Sequence, residues 1–288
     1  MTALFALATS LLWGLADFGG GLLTRRLPAL TVVVLSQALA VGVLGAIVVT
    51  TGAWSHAGPR LWLAVAAGVI GPLAMLCFYR ALALGPMGVV SSVGALGQVS
   101  VPVGVGLTLG ERPGALQFVG IAVAVVGVVL AADPRLGGAG VRRETLLLTF
   151  VAALGFGAVM TLIAEASTTV TGLFLALFVQ RVCNVAVGGA ALAVSVRRGG
   201  AALPVGGGRV VLAALPALAF VGLADVAANG TYAVAAQHGP VTVAAVLASL
   251  YPVVTALAAR GVLRERMHVA QTTGAGLALL GTVLLTSA

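Results

Sequence analysis

The 288-residue chain contains no lysine, and charged residues of any kind make up only 8% of it. A soluble domain carries about 25% charged residues, so this sequence cannot clothe a water-facing surface, and lipid is the solvent for most of it. The seven acidic residues are outnumbered by fifteen basic ones, all arginine. The resulting charge of +8 is spread over short loops. That pattern reads as membrane topology and contact with anionic headgroups, and it argues against a nucleic-acid surface. Two cysteines, Cys77 and Cys183, lie inside apolar runs and indicate neither a disulfide nor a metal site. The three histidines, His56, His238 and His268, fall far apart at predicted helix ends. No H-E-x-x-H, G-x-S-x-G, P-loop or Asp-rich phosphate motif is present. These absences argue against a membrane-embedded enzyme, and no metal or cofactor is expected. A channel would want repeated polar or charged rings, which the scattered charges do not supply.

What the sequence does have is apolar length. Hydrophobic residues make up 60% of the chain, with 40 glycines and a mean hydropathy of +1.17. A bilayer core needs roughly 20 apolar residues per helix. On that basis ten spans are expected, at about 3–23, 29–50, 61–83, 87–109, 114–132, 145–164, 172–195, 209–235, 240–262 and 268–287. The runs lack the alternating polarity of a membrane β-barrel. The first run has no basic leader, and Arg25 and Arg26 follow it, so it reads as a retained helix and not a cleaved signal.

The stretch from Gly239 to Leu285 echoes the stretch from Gly85 to Ala131 at a constant offset of 154 residues. Gly85-Pro86 falls on Gly239-Pro240, Glu111-Arg112 on Glu265-Arg266, Gln117 on Gln271, Gly120 on Gly274 and Gly127 on Gly281. Two similar halves in a long apolar chain mark a repeat-built transporter. The expected units are residues 1–134 and 143–288, each holding five spans. Five is odd, so the second unit enters from the opposite side of the membrane. The expected fold is therefore all-α and integral to the membrane, with ten helices as two inverted five-helix repeats. Loops after the odd-numbered spans, with adjoining helix ends, hold twelve arginines, against Arg60 and Arg112 on the other side. By the positive-inside rule that count places both termini outside.

The segments LASLYPVVTALAARGVLRERM and QTTGAGLALLGTVLL, their counterparts GALGQVSVPVGVGLTLGERP and QFVGIAVAVVGVVL, and the opening LLWGLADFGGGLLTRR together resemble the EamA-type drug/metabolite transporter superfamily. The resemblance implies a ten-helix inverted-repeat carrier of the inner membrane that moves small metabolites, often outward, through a central cavity between the halves. It also implies both termini in the cytoplasm, against the arginine count. Members often carry an Arg in the second helix of each half. Here the second half has Arg181, and the equivalent region of the first half offers Gln37.

An ionisable group at mid-membrane costs about 2.5–3.5 kcal/mol on insertion scales, so each one asks for a reason. Asp225, Asn229 and Tyr232 follow at i, i+4 and i+7 and form one polar stripe on an apolar helix. The stripe reads either as a substrate contact with a protonatable Asp225 or as an interhelical clamp. Arg181, with Asn184 a turn on, lies at similar depth; it either pairs with Asp225 or binds a substrate carboxylate through its planar fork. Trp13, Asp17 and Gly21 share one helix face. Asp17 reads as a proton or cation site beside a flexible glycine run, or as a partner of Arg25 or Arg26. Glu165 reads as a solvated helix end. Gln98, Tyr251 and Pro252 mark the centres of spans four and nine, with Ser91, Ser92, Ser249 and Thr255 nearby. Pro102 and Pro252 would kink those helices.

The expected protein is a secondary transporter that works by alternating access. Its substrate is a small amphipathic, amino-acid-like metabolite, moved outward across the inner membrane. Asp225 and Asp17 are the candidate proton-linked groups. Arg181, Asp225, Asn229, Tyr232, Gln98, Tyr251 and Trp13 are the candidate substrate contacts. The alternative is a multidrug exporter of hydrophobic compounds. The expected partners are the solute and the bilayer, with the chain a monomer or a homodimer.

Overall fold

In the computed structural model the described residues are 1–24, 26–84, 101, 103–108, 110, 112–131, 143–204, 206–263 and 269–286. Ten helices are assigned within them: α1 (Thr2–Thr24), α2 (Ala29–Thr51), α3 (Leu61–Leu84), α4 (Ala115–Ala131), α5 (Arg143–Glu165), α6 (Val170–Arg197), α7 (Gly208–His238), α8 (Val241–Ala248), α9 (Tyr251–Leu263) and α10 (Val269–Thr286). A short 3-10 turn, Ala53–His56, follows α2, residues 103–108 are helical, and no strand occurs among the described residues. Among the described residues six helices are long and apolar enough to cross a membrane: α1, α2, α3 over Leu61–Phe78, α5, α6 and α7. The protein is thus a multi-pass helical membrane protein.

Helix ends follow local chemistry. The N–H of Gly52, at φ 66°, bonds back to the carbonyls of Val48 and Val49 and closes α2; glycine takes this left-handed cap without steric cost. Thr169 opens α6 by accepting from the Gly172 N–H at 3.1 Å, as an N-cap hydroxyl should. The stretch expected as span nine is broken. The chain turns at Ser249-Leu250 between α8 and α9, just before Pro252, which lacks the N–H that would continue the ladder.

The long helices pack in antiparallel pairs. In α1 and α7, Thr9 meets Thr231, Trp13 meets Asp225 and Gly19 meets Val221. In α2 and α6, Gly45 lies against Phe178 and Val34 against Gly188. In α3 and α5, Gly71 lies near Val159 and Gly155 against Ala74. The main neighbour of α4 is α10, with Gly281 on Ala124. Small residues let these backbones approach where no hydrophobic drive exists between helices, and large apolar side chains such as Leu11, Phe118 and Phe150 are exposed on the outside.

Side-chain ties group the connections at the two ends of the bundle. At one end Thr169 reaches His56 and Gln237 donates to the Ser167 carbonyl. At the other, Thr31 donates to the Ala202 carbonyl. The first end is tightly packed: Ala244 through Ala248 of α8 are each fully buried, alongside Ala6 and Tyr232.

Candidate functional site

The site is built on α1, α2, α6 and α7, near the middle of each. Two close crossings set their spacing. At Gly222 of α7 a Cβ would collide with the Ser36 carbonyl of α2. At Gly68 of α3 a Cβ would lie 2.6 Å from the Gln180 carbonyl of α6. Residues just beyond these contacts, Gln37, Arg181 and Asp225, are brought together as a result.

Asp225 is the hub. Its Oδ2 accepts from Arg181 Nη1 at 2.8 Å and from Gln37 Nε2 at 3.0 Å. Its Oδ1 accepts from the Trp13 indole N–H at 3.1 Å and from Asn229 Nδ2 at 3.3 Å, and the same Asn229 nitrogen donates to the Asp225 carbonyl at 2.8 Å. Arg181 Nη1 also donates to Gln37 Oε1 at 2.7 Å. The Asn184 amide is satisfied when its nitrogen donates to the Gly68 carbonyl at 2.8 Å and its oxygen accepts from Arg181 Nη1 at 3.2 Å. The stripe joins helices, as the clamp reading expects, and it does so around the buried Arg181.

The arginine is only half used. It is 3% exposed, and Asp225 is 26% exposed. Nη1 carries every bond to Arg181 described above. Nε and Nη2 are buried and have no hydrogen-bond partner among the described residues. Those two nitrogens form the edge of the guanidinium that grips a carboxylate with two parallel bonds. Leaving buried donors unmade costs about 1–3 kcal/mol each, more for charged groups. The neighbouring Gln180 Oε1 is buried and has no partner among the described residues either.

Aromatic rings wall the site. Trp13 stacks on Tyr232, with centroids 6.3 Å apart and planes at 28°, and meets Tyr251 edge-on at 6.2 Å. Tyr251 sits at the start of α9, just past the break, and Thr255 ties that helix to α1 through the Gly14 carbonyl at 3.1 Å. The structure therefore gathers Trp13, Arg181, Asp225, Asn229, Tyr232 and Tyr251. Asp17, one turn along α1 from Trp13, is exposed yet within Coulombic range of Asp225. It forms no ion pair with a described residue, so among those residues the pairing expected with the first loop's arginines is not made. Glu165 is exposed at the end of α5. Gln98, Ser91, Ser92, Pro102, Glu111, Glu265 and Arg266 lie outside the described residues.

Gln37 was visible in the sequence only as the neutral residue standing where a second arginine would be. Its role as the link between Arg181 and Asp225 depends on α2 and α6 meeting face to face. Gln180 was passed over; its one signal was a polar residue adjoining Arg181 in an apolar run.

A solved crystal structure resembles the fold with a TM-score of 0.74 over 99% of this chain and 96% of its own, at 19% sequence identity. None of the curated proteins matches the chain in sequence. The model of the EamA-like transporter family matches residues 1–132 and 143–287. With nearly the whole sequence covered in two segments, the chain belongs to the EamA-like transporter family.

Proposed function

We propose that the protein is a secondary transporter that exports a small amino-acid-like solute across the inner membrane by alternating access. The observation that carries the reading is the Nε/Nη2 edge of Arg181, which has no partner among the described residues and is held in place there by bonds made through Nη1 alone. A solute carboxylate fits that edge. Its ammonium fits Asp225, where Trp13 and Tyr232 add aromatic faces that attract a cation.

Charge bookkeeping links this solute to a proton. Arg181 and an ionised Asp225 together are neutral, and a buried net charge is costly. A zwitterion needs Asp225 ionised to receive its ammonium, so it displaces any proton held there. Proton entry and solute exit then exclude one another at the same carboxylate, and the two fluxes run in opposite directions. Asp17, close to Asp225 and exposed, is the next acid to take the released proton.

Helix pairing supports an inverted repeat of residues 1–134 and 143–288, with ten spans. Exchanging the halves sends the pair α1·α7 onto α5·α3 and leaves α2·α6 and α4·α10 unchanged, and these are the main pairings of the fold. The antiparallel run of α3 and α5 calls for an even number of crossings between them. Helix α4 supplies one, and the stretch containing the helical residues 103–108 supplies the other. The strongest pairs each join one helix from either half, so the rocking bodies are cross-half bundles: α1, α7, α8 and α9 on one side, α3 and α5 on the other.

The test is alanine export from proteoliposomes under an imposed pH gradient. Native protein should accelerate export with the lumen of the vesicle acting as the cytoplasm and the outside acidic. Asp225→Asn should abolish the response to the gradient; a full response in that variant would remove Asp225 as the coupling group. Unchanged export by Arg181→Gln protein would remove the carboxylate assignment.

A further inference from the structure

The two close crossings give a residue-by-residue register between the halves. Gly68 on the Gln180 carbonyl and Gly222 on the Ser36 carbonyl are the same contact made twice. Gly68 and Gly222 are separated by the same 154 residues that relate the later echo. Ser36 and Gln180 are separated by 144, as are Gln37 and Arg181. Gln37 and Arg181 are therefore equivalent positions, and they touch at 2.7 Å.

Carried along α3 and α7, the register sets Gly71 against Asp225, Met75 against Asn229 and Phe78 against Tyr232. The aromatic contact is duplicated too. Trp13 of α1 packs on Tyr232, and Phe156 of α5 packs on Phe78 with centroids 5.8 Å apart. Each polar group of the α7 stripe thus has an apolar counterpart on α3. The α3 stripe is joined to the arginine through the Asn184 amide: the end that donates to the Gly68 carbonyl lies 3.5 Å from where a Gly71 Cβ would be, and the other end, the oxygen, accepts from Arg181. Met75 then lines an apolar groove between α2, α3 and α6, with Val33, Pro72, Leu76 and Gly188.

We propose that the α3 face of Gly71, Met75 and Phe78, closed by Phe156, is an apolar subsite that receives the uncharged side chain of the solute whose carboxylate sits on Arg181. This rests on the amino-acid-like reading above and adds what selects among such solutes. Gly71 leaves room beside Asn184 where a side chain would fill it. Seven residues of helix, about 10 Å, separate Gly71 from Phe78, enough for an unbranched chain of several carbons. The site then favours aliphatic or aromatic side chains over polar ones, because a polar group on this face would lose water without gaining a partner.

The test is calorimetric titration of the full-length purified protein with glycine, alanine, 2-aminobutyrate, norvaline and norleucine, and with butylamine and pentylamine as controls lacking the carboxylate. Affinity should rise about fourfold per added methylene, and the amines should not bind. Phe156→Asn and Met75→Asn should each flatten the series, reducing the norleucine-to-glycine ratio at least about tenfold, while Phe156→Leu should keep most of it. Carboxylate-dependent binding with no chain-length dependence in the native protein overturns the subsite alone. So does a series left intact by both asparagine variants. Failure of every amino acid to bind overturns the carboxylate reading and the subsite with it. The native series decides even where a variant does not fold.

Discussion

The α7 face and the α3 face occupy corresponding places around Arg181 but have opposite chemistry. On α7, Asp225 and Asn229 hold a network of five hydrogen bonds reaching α1, α2 and α6 or closing within the helix itself, and Tyr232 stacks on Trp13. On α3 the residues at that spacing are Gly71, Met75 and Phe78, and the last meets the Phe156 ring edge-on. The backbones are alike at the crossings, so the difference lies in side chains. Two helix crossings can share a packing geometry while only one of the faces beside them carries charge. Concentration has a physical advantage here, because a second buried ion pair would carry a second desolvation penalty of several kcal/mol per ion.

The harshest way to break this contrast is to remove the charge. Arg181→Gln leaves Asp225 without a counter-ion, a change that typically destabilises by about 3–5 kcal/mol. It should lower the unfolding temperature in detergent and cut solute transport at least about a hundredfold. The double variant Arg181→Gln/Asp225→Asn should recover most of the lost stability, since no unpaired charge remains, without recovering transport. Moving the charge is gentler. In Arg181→Gln/Gln37→Arg the arginine crosses to the equivalent position, from which residue 37 already reaches Asp225 at 3.0 Å. Transport within about tenfold of native would sharpen the comparison by showing that the two positions are interchangeable. Loss as complete as in the single variant would show that only one half can carry the cation.

The sequence made the scaffold legible because lipid imposes simple rules: apolar length gives spans, and the paucity of charge makes each mid-membrane ion conspicuous. Arg181, Asp225, Asn229 and Tyr232 could be named on that ground and do converge. The interruption at Ser249-Leu250 was hinted at by Pro252, although a kink in one helix was expected and two separate helices, α8 and α9, are found. What could not be read was anything that depends on which helices face each other. Gln37 as the bridge, Trp13 as a donor to Asp225, and the edge of Arg181 without a partner among the described residues all arise from how helices more than 140 residues apart in sequence meet. The later echo at offset 154 pointed to two halves but did not itself cover the charged helices; the crossings of α3 and α7 keep that offset, whereas Gln37 of α2 and Arg181 of α6 are 144 residues apart.

A change of intermediate size targets the geometry that both halves share. Gly222→Ala and Gly68→Ala each force a methyl group toward a carbonyl of the facing helix. Overpacking of this kind costs about 1–3 kcal/mol. Both variants should lower the unfolding temperature by similar amounts. Only Gly222→Ala should also weaken solute binding strongly, because it pushes α7 and its Asp225 away from α2. Equal binding losses in the two would mean that the α3 face contributes as much as the α7 face to holding the charged end of the solute.

The smallest expected effect isolates one bond of the polar half. Trp13→Phe keeps a ring to pack on Tyr232 and Tyr251 but deletes the indole N–H that donates to Asp225 at 3.1 Å. A hydrogen bond to a charged group contributes about 1.5–3 kcal/mol when buried. Asp225 keeps Arg181, Gln37 and Asn229 and is a quarter exposed, so the loss should fall at or below the low end, about tenfold or less in solute affinity. The ratio of norleucine to glycine affinity should stay near its native value. A change in that ratio with no loss of affinity for glycine would place Trp13 on the side-chain subsite and not beside the carboxylate, reversing the assignment of the two faces at this position.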